Sequence, residues 1–220
     1  MGTITRTFAN NITTSGVFKP TAFNNASFDN VTAVPEGAVE GGSMVLLSTQ
    51  TATTGTASIE FTSGITSSYK EYLFIFNNIK PSSDGVNFQF NLSTDNGSNY
   101  NVTKTSTFFE TYHDEADTAT SLNYKTSTDL AQSTAYQVIS APQGNGTDES
   151  LSGTLQIFNP SDTTYVKHFI ARISSYNSAD YAGEQNVAGY GNTTSAINAI
   201  DFQFASGNID AGTIQMFGIL

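Results

Sequence analysis

Beyond residue 42 the chain runs as short stretches of alternating apolar and polar side chains, broken by Gly, Asn, Asp, Ser and Pro, which is the pattern of a multi-stranded all-β domain. Val86, Phe88, Phe90 and Leu92 alternate with Asn87, Gln89 and Asn91, predicting a strand with one buried face and one wet face. Asn96-Gly97 follows, and because both residues tolerate positive φ, the pair predicts a tight hairpin whose return strand carries Tyr100 and Val102. Ala57, Ile59 and Phe61 form a second alternating run, and Leu151, Gly153, Leu155 and Ile157 a third. The continuous apolar run 72–76 predicts a central strand. In 165–173, Val166, His168, Ile170 and Arg172 fall opposite Phe169 and Ile173, with the inward face left open by the pattern. The chain end predicts two strands, 197–204 and 213–220, joined through the turn-prone Ser206-Gly207-Asn208. No sustained 3.6-residue stripe appears, so any helix is short, with 126–132 the compatible place.

These elements predict an all-β fold: a single β-sandwich, jelly-roll-like, over 43–220, preceded by an extended N-terminal arm and linker over 1–42. Strand pattern alone leaves jelly roll, other sandwich and barrel open. In the arm, Phe18, Phe23 and Phe28 recur at five-residue steps among Asn, Ser and Thr, a spacing that fits neither a helix face nor a strand face. Disordered segments are poor in aromatics, and large rings left in water form sticky patches, so the three phenylalanines are the candidate assembly anchors of an arm that inserts into a neighbouring protein.

Composition narrows the function. Eight Lys and Arg against nineteen Asp and Glu give a net charge of −11, which argues against nucleic acid and anionic lipid as partners. Only 12% of residues are charged, so solubility rests on neutral Asn, Ser, Thr and Gly, a composition foreign to ordinary cytosolic enzymes. There is no cysteine, hence no disulfide, thiolate nucleophile or thiolate metal site. The first ten residues have no apolar run of the secretory kind, and no later segment approaches the roughly 20 apolar residues that span a bilayer, so membrane insertion is not expected.

Candidate chemistry is sparse. His113 sits in Tyr112-His113-Asp114-Glu115-Ala116-Asp117, where carboxylates could raise its pKa or join it around a cation. The residues favour the plainer reading of an exposed acidic loop, and Tyr112, His113 and Asp114 are taken as a possible receptor-contacting loop. Glu110, Asp114, Glu115 and Asp117 supply acids for glycoside hydrolysis, but closeness in sequence does not place a carboxylate pair across a substrate groove. His168, within an apolar strand, reads as a packed or edge residue. Asp95, Asn96 and the Asp114 cluster offer oxygen ligands for Ca²⁺ without the spacing of a known loop. Tyr100, Tyr112, Tyr124 and Tyr136 read as core or interface residues before sugar-stacking ones. No catalytic residue, cofactor or metal is expected.

Several stretches carry a resemblance. Leu47-Ser-Thr-Gln-Thr-Ala52, Ile59-Glu-Phe-Thr-Ser-Gly-Ile65, Leu92-Ser-Thr-Asp-Asn-Gly-Ser-Asn-Tyr100 and Ser206-Gly-Asn-Ile-Asp-Ala-Gly-Thr-Ile214 resemble a β-domain of tailed-phage proteins, particularly marine ones. Phe8-Ala-Asn-Asn-Ile12 and Phe23-Asn-Asn-Ala-Ser-Phe-Asp-Asn-Val31 resemble the portion that precedes it. The resemblance implies a β-rich structural virion protein, either a fibre-like tail appendage or a capsid decoration protein, assembled in the host bacterial cytoplasm. It implies a homo-oligomer, a trimer if a fibre, bound to other capsid or tail proteins. A host-receptor or glycan-binding module of the tail is the alternative.

Overall fold

The computed structural model describes residues 44–220, all of whose regular structure is β-strand. The strands are β1 (Met44–Thr51), β2 (Ile59–Phe61), β3 (Glu71–Pro81), β4 (Phe88–Ser93), β5 (Lys104–Asp114), β6 (Thr120–Tyr124), β7 (Gln137–Val138), β8 (Leu151–Phe158), β9 (Lys167–Tyr176), β10 (Tyr181–Gly191), β11 (Ala199–Phe204) and β12 (Ile209–Ile219). They build two antiparallel sheets, one in the order β1-β12-β3-β8-β9-β10-β5-β6 and one in the order β2-β11-β4-β7. This is the expected sandwich. The arm and its anchors Phe18, Phe23 and Phe28 lie outside the described residues.

The alternation read from the sequence decides what faces inward. Tyr72, Phe74 and Phe76 of β3 and Phe88, Phe90 and Leu92 of β4 are buried, as are Leu155 and Ile157 of β8 and Phe169, Ala171 and Ile173 of β9. That settles the inward face of β9, and it leaves His168, Ile170 and Arg172 exposed. Phenylalanine rings from both sheets meet at Phe202 of β11, whose centroid lies 5.2 Å from Phe76, 5.4 Å from Phe74 and 6.2 Å from Phe61. Edge-on and tilted contacts of this kind add to the burial of the rings themselves. The run 72–76 sits inside the large sheet, between β12 and β8.

Two local expectations are corrected. Asn96 and Gly97 do adopt positive φ, 59° and 85°, but the chain after them pairs with no strand. Asp95 captures the turn instead: its Oδ1 accepts from Ser93 Oγ at 2.7 Å and from Asn99 N at 2.9 Å, and the chain then leaves for the other sheet as β5. The stretch 126–132 is a turn and not a helix, because its donors go elsewhere: Leu130 N donates to Ser106 Oγ and Gln132 N to Thr105 Oγ1. The two C-terminal strands form where expected, as β11 and β12. β11 belongs to the small sheet and β12 to the large one, so the segment through Ser206, Gly207 and Asn208 crosses between layers.

A third correction concerns Asn91. Its alternation with Phe90 and Leu92 places it on the face away from the phenylalanine core, yet it is fully buried. The stretches 94–103 and 125–137 cover that face: Asn91 Nδ2 donates to Tyr100 O at 2.6 Å and to Thr134 O at 3.0 Å. Beneath this cover lies a polar layer. Asp201 pairs across strands with Glu60 on one side and Asn91 on the other, so all three side chains share a face. Tyr136 donates to Asp201 Oδ2 at 2.9 Å and Tyr100 to Glu60 Oε2 at 3.0 Å.

Candidate functional site

β5 and β6 form a hairpin whose tip is fixed by Asp114. Its Oδ1 accepts from Thr118 N and Ala119 N, both at 2.8 Å, and Oδ2 accepts from Thr118 Oγ1. The Thr118 hydroxyl first, then the backbone donors, hold the Asp114 carboxyl below its ordinary value. Asp117, at φ 56°, reaches back so that its Oδ1 lies 3.0 Å from His113 Nε2. Tyr112 stacks on Tyr181 of β10, with ring centroids 4.8 Å apart and planes 10° apart. The sequence reading placed Tyr112, His113 and Asp114 in a loop. They are instead the last three residues of an eleven-residue strand, because the edge pairing with β6 and β10 extends to His113 and Asp114.

His113, Asp114 and Glu115 form one wall of an open groove of about 630 Å³, and Ser150, Ser152, Ser174 and Tyr176 supply much of the remainder. Beside the two carboxylates its lining offers hydrogen-bonding groups: serine hydroxyls that donate and accept, an imidazole, and a tyrosine whose hydroxyl donates to Asp180 Oδ1 at 3.2 Å. Both oxygens of Asp114 are engaged by the turn. Glu110 is buried and ion-paired to Lys125 at 2.7 Å, away from this wall. The four acids of the sequence therefore do not converge. Among the described residues no three His, Asp or Glu side chains gather as metal ligands, and Asp95 serves its turn through Ser93 and Asn99.

A second feature lies on the solvent side of the large sheet. Register carries one row across six strands, Leu46–Phe217–Leu73–Gln156–Ile170–Ala188, and five of the six side chains are apolar. Leu46 is 51% exposed and Ile170 52%. Ile170 and Ala188, with Phe158, His168 and Tyr190, line an open depression of about 480 Å³. Strand β1, at the edge of this sheet among the described residues, contains no charged residue and no proline. The other edge exposes Leu122 and Tyr124 of β6 beside Phe109.

The sequence reading missed the polar layer in which Asn91, Lys104 and Asp201 are buried, Tyr100 and Tyr136 half-buried and Glu60 exposed. Lys104 is fully buried, and among the described residues it has no ion-pair partner. The available signal was slight: an asparagine flanked by Phe90 and Leu92. Tyr100 and Tyr136, read as core or interface residues, belong to this layer. Comparison with models of protein families, with curated proteins and with solved structures finds no match to the chain.

Proposed function

We propose that the chain is a non-enzymatic structural protein of a tailed-phage virion, anchored through residues 1–42 and displaying its sandwich on the particle as a fibre-like appendage or a capsid decoration. The observation that carries the assembly part of this reading is the apolar row on the solvent side of the large sheet, flanked by an edge strand without charge. A sheet edge of that kind is a pairing and packing surface that free monomers normally blunt with lysine, proline or charge. The phage assignment rests on the sequence resemblance described above. It is tested by labelling tailed particles from an infected host with an antibody against residues 44–220: decorated heads or tails support it, and unlabelled particles in a lysate rich in the protein overturn it.

A second reading, a glycan-binding module, is favoured by the groove at the β5–β6 hairpin. Serine hydroxyls, an imidazole and a tyrosine ring suit a polyol, whose hydroxyls both donate and accept. Selective, saturable binding on a glycan array, lost in His113→Ala and Tyr176→Ala, is the expected result. Uniform background on the array removes this reading and leaves the structural one standing.

A further inference from the structure

Lys104 opens β5 of the large sheet, while Asn91 belongs to β4 of the small one. Lys104 Nζ lies 2.5 Å from Asn91 Oδ1, one bond from the amide carbon, and its other contact is Val102 O at 2.8 Å. The amide is clamped in place: Nδ2 donates to the carbonyls of Tyr100 and Thr134, and Oδ1 also accepts from Leu92 N at 2.9 Å. Beside it on the same face, as the direct cross-strand partner of Asn91, stands Asp201, only 2% exposed. Its Oδ2 takes the Tyr136 hydroxyl, and its Oδ1 is buried with no hydrogen-bond partner among the described residues. A buried amine without a carboxylate, against a rigidly held carboxamide and next to a buried acid with a vacant oxygen, is an arrangement that ordinary packing does not call for.

We propose that Lys104 and Asn91 condense spontaneously into an amide cross-link between the two sheets, with Asp201 supplying the proton that assists the reaction. The lone pair of the neutral Nζ adds to Cγ of Asn91 while the Asp201 carboxyl protonates Oδ1. The tetrahedral carbon then collapses: a proton passes from Nζ to Nδ2, the Cγ–Nδ2 bond breaks, ammonia leaves, and Oδ1 returns its proton to Asp201. One C–N bond forms, one breaks, and no oxidant, metal or co-reactant takes part. The carbonyls of Tyr100 and Thr134, already accepting from Nδ2, are placed to accept from the departing ammonia.

Burial favours the reactive form of both partners. It pushes the Lys104 amine down to about 7, so that a large share is neutral near neutral pH, and it pushes the Asp201 carboxyl up to about 6. Close, fixed placement of the reacting groups is the main requirement of an uncatalysed condensation of this type. Lys167 is the internal contrast. It too is fully buried, but its Nζ meets only backbone carbonyls, Tyr165 O at 2.5 Å and Thr193 O at 3.4 Å, with no side-chain amide to acylate it.

Intact mass spectrometry of the folded full-length chain tests the proposal. The expected mass is below the sequence mass by one ammonia, about 17 Da, and chymotryptic digestion, which cuts after Tyr100, yields a linked pair of peptides containing Asn91 and Lys104. Cyclisation of Asn91 onto its own backbone loses the same mass but gives no linked pair, and that result overturns the proposal. So does a wild-type chain of full sequence mass. Lys104→Met is expected to restore the full mass, and Lys167→Met to keep the deficit. Asp201→Asn, confirmed as folded by circular dichroism, is expected to show full mass; a retained deficit overturns the role given to Asp201.

Discussion

Asp201 is the residue at which burial and charge conflict most openly. It lies cross-strand from Glu60, and its carboxyl is raised to about 6 by burial first and then by the Glu60 charge, against the hydrogen bond from Tyr136 that pulls the other way. A carboxyl whose folded value exceeds its unfolded one contributes stability that is fully present below the unfolded value of 3.8 and lost as pH rises through about 6. The loss is on the order of 3 kcal/mol. Asp201→Asn is expected to flatten the pH dependence of urea unfolding between about pH 4 and 7. The measured quantity is the slope, which proton linkage alone sets, and an unchanged slope places the titration elsewhere. At the opposite pole, Phe202 carries apolar packing from both sheets, so Phe202→Ala is expected to cost about 3–5 kcal/mol, read as a lowered urea midpoint at unchanged m-value. The sequence predicted the strand over 197–204 that carries both residues, but it hid the burial of Asp201. Two-residue alternation assigns a face, and it carries no information about whether a loop later covers that face.

At the scale of elements the same distinction recurs. The strand pattern of β4 and β8 was legible because inward apolar and outward polar side chains alternate, and that of β3 because 72–76 is a continuous apolar run, while β9 was legible as a strand without its inward face. The partners of those strands were not, since alternation is silent about which strand lies alongside. Asn96-Gly97 took up the backbone angles its chemistry favours, yet Asp95 and Ser93 closed the turn on themselves and released the chain toward the other sheet. Residues 126–132 had the composition of a short helix, and their backbone donors went to hydroxyls of Thr105 and Ser106 instead. Tertiary hydrogen bonds override local propensity where the segment is short. Gly153 shows an element-level constraint that alternation misread as an ordinary inward position. A Cβ there would stand 2.3 Å from the Arg172 carbonyl oxygen and 2.8 Å from Ile173 Cα, so β8 and β9 approach as closely as they do because the side chain is missing. Gly153→Ala is expected to destabilise by about 1–3 kcal/mol in urea unfolding, whereas Thr154→Ala, on the half-buried outer side, should stay within about 0.5 kcal/mol. Equal effects at both positions would mean that the sheet adjusts to the added carbon.

For the whole molecule, the chain passes repeatedly between layers, from β2 to β3, β4 and β5 and again from β10 to β11 and β12, so each sheet is completed by segments distant in sequence. What this assembly presents outward is a large sheet whose solvent side is apolar along one row, on a chain of net charge −11. The charge and the row make opposite demands on association. Like charges on approaching copies repel over about one Debye length, roughly 10 Å at 0.1 M salt, while apolar burial does not depend on screening. If copies of the chain associate through the Leu46–Ile170 row, added salt weakens only the repulsion. Sedimentation velocity is therefore expected to show stronger self-association at about 0.5 M than at about 0.05 M NaCl, the opposite of an interface held by ion pairs. Leu46→Asp together with Ile170→Asp places charge on side chains that are already half exposed, so the fold should survive while association is lost at both salt concentrations. Association that persists in the double variant moves the contact to the other edge, where Phe109, Leu122 and Tyr124 are exposed, and Leu122→Asp becomes the decisive substitution. A chain that stays monomeric at high salt rules out self-assembly by this face and leaves a different protein as the partner to be sought.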